Sequence, residues 1–250
     1  MTIYFANKSL ADVNGIKVHA RYSFVSIFQN LPNKKGSSDG RLTHKLAPAI
    51  KLALEALNDV YTRFTSGSAL KDKGSFQQYL AKYFFIDKAE KNDDYFGVLA
   101  MIKAIKGGLE TNNNVIKVFS DIPLTKKNFV VSGYVTRYHI GKSKSHATAC
   151  KEATVKDGKL GFVEVEKGDV HMNAYTIDNN SNFLNAVTFL HEASHKYAGT
   201  VDHGDKGYTD KEGEYLKKGL TKGSALINAE SYARFIMHYY AAENGVDTAI

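Results

Sequence analysis

The pentapeptide His191-Glu192-Ala193-Ser194-His195 has residue types and a spacing that can do metal chemistry. On a helix, positions four apart share a face. Both imidazoles can then reach one Zn²⁺ at about 2.0–2.1 Å, and the carboxylate of Glu192 can hold a water against it. A water acidified by a metal and relieved of its proton by a carboxylate is a nucleophile for peptide carbonyls. Two histidines leave such a site one protein ligand short. The chain offers Asp202, His203 and Asp205 just downstream, and Glu212, Glu214 and Glu230 farther on.

A helix must carry that pentapeptide, and its signals are present. Phe183, Leu184, Val187 and Leu190 recur at three- and four-residue steps, with Ser181 or Asn182 standing where an N-cap belongs. Gly199 ends the helix four residues after His195, which lets a further ligand swing back. A third histidine at the metzincin spacing would need Gly at 198 and His at 201, where the chain has Ala198 and Val201.

His191 to His195 followed by Gly199-Thr200-Val201-Asp202 resembles the signature of the aspzincins, the deuterolysin and peptidyl-Lys metalloendopeptidase family. The resemblance implies a zincin-like fold, Zn²⁺ as cofactor, Asp202 as third ligand and Glu192 as general base. Asn228-Ala229-Glu230-Ser231-Tyr232-Ala233-Arg234-Phe235 is similar to the helix that follows in the lysine-specific branch. It implies that Glu230 lies on a pocket floor and pairs with a substrate lysine on the leaving-amine side, although the branch's second acid is Ala233 here. The resemblance also implies that substrate lies along the strand Gly168–Tyr175, which includes Met172. The family's oxyanion donor is a tyrosine three residues past the aspartate; that position is Asp205, which leaves Tyr208 as the first candidate, His203 as its rival, and a site with neither as the third reading. Residue-level likeness is confined to 191–202 and 228–235, within an order of elements that matches over 42–243.

Two other readings stand beside this one. Glu230 could supply the third ligand from the downstream helix, as in a gluzincin, or the chain could be a binding module that keeps the motif without hydrolysis. In the last helix Ala225, Asn228, Tyr232, Phe235 and Tyr239 line one face, and Glu230 falls about 100° from its neighbours, so an exposed Glu230 is the competing expectation.

The remaining elements predict an α+β fold. Asn14-Gly15 separates apolar runs at 2–5 and 16–28, which reads as a hairpin, and 33–40 reads as a loop. A long helix is expected from Thr43 to Gly67, with Pro48 in its first turn, followed by helices at Phe76–Phe85 and Tyr95–Ile105, the latter closed by Gly107-Gly108. The period then changes. Val115–Phe119, Phe129–Ile140, Leu160–Glu166 and Val170–Ile177 read as strands of a small, mostly antiparallel sheet, with turns at Asp157-Gly158 and Lys167-Gly168. Its last strand, if at the edge, could pair with an extended peptide. His139 and His171 are expected to be strand residues without a metal role. A final helix is expected from Ser224 to about Ala242.

Composition bounds the whole. With 250 residues, 43% of them hydrophobic, the chain can bury one core, read as a single domain with 1–40 as a hairpin-like extension and 41–250 as the catalytic core. One cysteine, Cys150, excludes an internal disulfide framework and suggests a reducing compartment. The start lacks a basic and apolar leader, and no apolar run has membrane-spanning length. Secretion without a classical signal peptide, as an effector or toxin held in the cytoplasm before delivery, is the expectation, together with an inhibitor or immunity partner. Net charge is +7, but the lysines are spread and Trp is absent, so neither nucleic acid nor membrane is expected as a partner; a protein or peptide substrate is.

Overall fold

In a computed structural model of the chain, residues 8–13, 16–20, 37–68, 74–87, 93–110, 114–119, 131–142, 147–156, 159–210 and 212–248 are described. In order the elements are β1 (Lys8–Val13), β2 (Ile16–Ala20), α1 (Ser37–Ser66), α2 (Ser75–Phe84), α3 (Asp93–Leu109), β3 (Val115–Phe119), β4 (Gly133–Tyr138), β5 (Thr148–Lys156) and β6 (Lys159–Asn173). They continue as α4 (Ala174–Asn179), α5 (Asn182–Ala198), a 3₁₀ turn (Gly204–Lys206), α6 (Lys222–Ala225) and α7 (Ala229–Asn244). The class is α+β. The strands form one sheet in the order β1-β2-β3-β6-β4, with β5 also on β6. It is mixed rather than mostly antiparallel, because β2/β3 and β3/β6 run parallel while β1/β2, β4/β6 and β5/β6 run antiparallel. Parallel neighbours need a crossover, and α1 to α3 supply it between β2 and β3.

Helical periodicity placed α1, α2, α3 and α5. Leu46, Ala49, Ile50, Ala53, Leu57, Val60 and Phe64 are the buried stripe of α1, whereas Leu54 and Tyr61 are only partly covered. That helix already includes Ser37 to Gly40, where a loop was expected, so Pro48 is interior and leaves one helical hydrogen bond unmade. Helix α3 runs through Gly107 and Gly108 to Leu109 instead of stopping there. At Gly108 a Cβ would collide with the Tyr197 ring, so this glycine serves close packing against α5.

Three sheet expectations are corrected. Lys167-Gly168 is not a turn but the middle of β6, a strand of 15 residues; Gly168 gives room to the Tyr138 ring, which a Cβ would meet at 2.8 Å. Residues 174–177 turn into α4, because the Asn173 side chain caps that helix by accepting from Tyr175 N at 3.0 Å. The strand bearing Met172 is flanked by β3 and β4 rather than standing at an edge; β4 ends the strand order. The N-terminal hairpin is β1/β2. Expected strand residues 2–5 and 21–28, Phe129 and Val130, and the Asn14-Gly15 and Asp157-Gly158 turns lie outside the described residues. The C-terminal helix begins at Ala229, and α6 is a separate turn.

Helix α5 is the centre of the packing, against α1, α3 and α7 on one side and β4, β5 and β6 on the other. Around α7, Phe64, Phe76, Phe84 and Tyr239 surround Phe235, with Phe64 and Phe76 edge to face at 4.8 Å. Among the described residues no helix is long and apolar enough to cross a membrane.

Candidate metal centre

Helix α5 is anchored at both ends before it presents any chemistry. Ser181 caps it, its Oγ accepting from Leu184 N at 3.2 Å, and the buried Asn185 donates to Ile177 O at 2.9 Å. It ends at Gly199, whose φ of +66° suits glycine, and a Cβ there would also run into the Lys151 carbonyl of β5. The chain then turns back under α5. Val201 N donates to Ile227 O at 2.9 Å and Ala229 N donates to Val201 O at 3.2 Å, so the link to Asp202 is tied to the start of α7.

This turn brings three ligand atoms together. His191 Nε2 and His195 Nε2 are 3.1 Å apart, and Asp202 Oδ1 lies 3.1 Å from the first and 3.3 Å from the second. A tetrahedral ion with ligands at about 2.0–2.1 Å has ligand–ligand edges of about 3.3–3.4 Å, which this triangle nearly matches. The outward ring nitrogens fix the tautomers: His191 Nδ1 faces Glu230 Oε2 at 3.0 Å, and His195 Nδ1 faces the Thr200 carbonyl at 2.8 Å. Each ring, when neutral, can donate outward and turn a lone pair inward. Three such atoms converging on one point can hold a metal ion between them. Among the described residues, His191, His195 and Asp202 are the one group of this kind that could hold a metal ion.

The surroundings of these atoms favour positive charge at this point. Burial opposes charge on His191, but hydrogen bonds to Asp202 and Glu230 outweigh it and raise its pKa well above the ordinary value. Burial likewise favours a neutral Asp202, yet the two imidazoles hold its carboxyl well below the usual carboxylate range. Glu230 is buried too and is lowered to about 2, held ionised by His191, Arg234 and Thr209. Its Oε1 accepts from Thr209 Oγ1 at 2.7 Å and from Arg234 Nε at 2.9 Å.

The other expected residues fall as follows. Glu192 is 4% exposed and its Oε2 has no partner among the described residues; desolvation raises its pKa. Gly133 of β4 makes room for it, since a Cβ there would sit 2.8 Å from Glu192 Oε1. Tyr208 stacks on the His191 ring at 5.8 Å and hydrogen-bonds Asp202; burial and that carboxylate raise its pKa. His203 lies beside Asp202 in a surface cavity, bonded to the Ser224 backbone, with burial lowering its pKa.

Two expected substrate-binding residues are placed elsewhere. Met172 is 1% exposed within the core, because the strand carrying it is central. Glu230 is neither exposed nor a pocket floor: both its oxygens are taken up by His191, Thr209 and Arg234. It also meets the outward nitrogen of His191, so it stands behind that ring, on the side away from Asp202. His171 is a buried strand residue stacked on Tyr134 at 4.3 Å and lies outside the ligand group.

Sequence reasoning passed over Arg234, Gly133, Thr200 and Thr209. Arg234 is four residues after Glu230, a helical ion-pair spacing, and an isolated glycine in a strand pattern marks a close approach, so these two carried a signal. Thr200 stood in the signature quoted above, but its use, a backbone carbonyl facing His195 Nδ1, left no mark in the residue type, and Thr209 carried no signal. No protein-family model matches the chain, and no curated protein matches it.

Proposed function

We propose that the chain is a zinc-dependent endopeptidase of zincin-like architecture. The observation that carries this reading is the triangle of inward-facing His191 Nε2, His195 Nε2 and Asp202 Oδ1, with the buried carboxylate of Glu192 beside it. When bound there, Zn²⁺ supplies a Lewis acid that polarises a peptide carbonyl and makes water acidic. Glu192, desolvated and with its pKa raised, is suited to take a proton from that water and pass it to the leaving amine. Tyr208 stands where its hydroxyl can leave Asp202 for a developing oxyanion. His203, with one ring nitrogen bonded to the Ser224 backbone and Nε2 without a partner among the described residues, is the alternative donor. Strand β4, ending the sheet with Gly133 against Glu192, offers an edge for an extended substrate. A lysine preference is not part of this reading, because Glu230 is buried behind His191 and already faces Arg234 and Thr209.

The test is metal content and peptide hydrolysis on the same preparations. One zinc per chain is expected, lost in Asp202→Ala. Glu192→Gln should keep the zinc and lower turnover by about 10²–10⁴-fold. Zinc-loaded wild-type protein that cleaves no denatured protein or peptide, or a Glu192→Gln variant as fast as wild type, would end the proposal.

A further inference from the structure

The cavity next to Asp202 has a chemistry of its own. It holds about 410 Å³, within the ~300–1,000 Å³ range of small-ligand sites, and extends from Asp202 and His203 to Arg137 and Glu152. Its remaining walls include Ala153, Val163 and Val201, which suit an aliphatic stem.

At the Arg137 end two cations share one carboxylate, Lys167 reaching it from behind the cavity wall. Glu152 Oε1 accepts from Arg137 Nε at 2.8 Å, and Glu152 Oε2 is paired with Lys167. Burial opposes ionisation of Glu152, but Lys167 and Arg137 lower its pKa, so one carboxylate sits between two cations. The excess positive charge is not buried with Lys167, whose side chain is 7% exposed; it faces outward on Arg137, at 44%. Only Nε of Arg137 is engaged by Glu152, which leaves the terminal amino groups of this cavity-lining guanidinium for a planar, two-pronged contact with a carboxylate. Asp202 contributes no net negative charge to the far end when it holds a dication.

We propose that this cavity is a substrate subsite in which Arg137 receives a carboxylate of the bound peptide, an acidic side chain or the C-terminal carboxylate, and turns away lysine and arginine. The inference rests on the peptidase reading and gives it a substrate class. It is opposite in sign to a lysine pocket: a substrate ammonium here would meet Arg137 before any free acid. Arg137 is a specificity residue in this role, acting on substrate affinity and not on protons.

Four peptides identical except for one group separate the sources: an internal Glu with an amidated end, the same peptide with Gln, with Lys, and the Gln peptide with a free C-terminus. For zinc-loaded wild type, kcat/KM should be about tenfold higher for one of the two acid-bearing peptides than for the amidated Gln peptide, carried mainly by KM, with the Lys peptide lowest. That ratio should fall to about one in Arg137→Gln and be partly kept in Arg137→Lys. Arg137→Glu should favour the Lys peptide. Melting curves of the three variants show whether each is folded, and Arg137→Lys preserves an ion pair with Glu152. Equal rates on all four peptides, or an unchanged ratio in Arg137→Gln, would overturn the subsite while leaving the peptidase intact. Failure to cleave any of the four, or casein, would overturn the peptidase reading and this one with it.

Discussion

At the scale of single residues, the centre depends on groups that never touch a substrate. Glu230 fixes His191 in the tautomer that turns its lone pair inward, and is itself kept ionised by Arg234 and Thr209. Replacing Glu230 by Gln should weaken zinc binding by about 10–100-fold without removing any ligand, measurable by competition with a chromogenic chelator. Gly133 makes the complementary case. A methyl group there would press on Glu192, so Gly133→Ala should retain zinc but lose at least about tenfold in kcat; unchanged turnover would show that Glu192 has slack. The two histidines and Glu192 were legible in the sequence because their relation is local, set by helical periodicity. Glu230 was misread because its facing depends on a helix 39 residues from His191, and nothing in a helical wheel says which neighbour covers it.

At the scale of elements, the end of α5 decides whether the ligands meet. Gly199 reverses the chain with a positive φ and lets it pass against β5, while the bonds of Val201 to Ile227 and Ala229 tie the next residues to α7. Gly199→Ala should therefore cost about 1–2 kcal/mol for the left-handed backbone alone, more for the contact with Lys151, and should weaken zinc binding in parallel. Thermal melts with and without zinc check both effects. Helices α1, α2, α3 and α5 were legible because a period of three to four residues survives any tertiary context. Strand β5 was not read at all, and β6 was split at Gly168, just as α3 was cut short at Gly107-Gly108; glycines read as breakers when nothing in the sequence shows the rings packed on them, Tyr138 on Gly168 and Tyr197 on Gly108.

At the scale of the whole molecule, buried titratable groups tie stability to acidity. His238 is held down to about 4 from an ordinary 6.5, mainly by desolvation, with Arg234 and Lys82 adding to the shift and Glu230 opposing it; Tyr83 Oη meets its Nδ1 at 2.7 Å. Between those values the unfolded chain binds the proton and the folded chain does not. Stability should fall as pH drops from about 6.5 towards about 4, with His238 contributing at most about 1.4 kcal/mol per pH unit, and His238→Phe should flatten that slope in urea titrations of metal-free protein. The stitching of Val201 onto residues 227 and 229 has a consequence for synthesis. A nascent polypeptide that has emerged only through Asp202 lacks the backbone partners that aim its aspartate and the glutamate that steadies its first imidazole. On the ribosome the triangle of His191, His195 and Asp202 therefore waits for the start of α7, and the ligand site can close only after residues 227–230 have emerged.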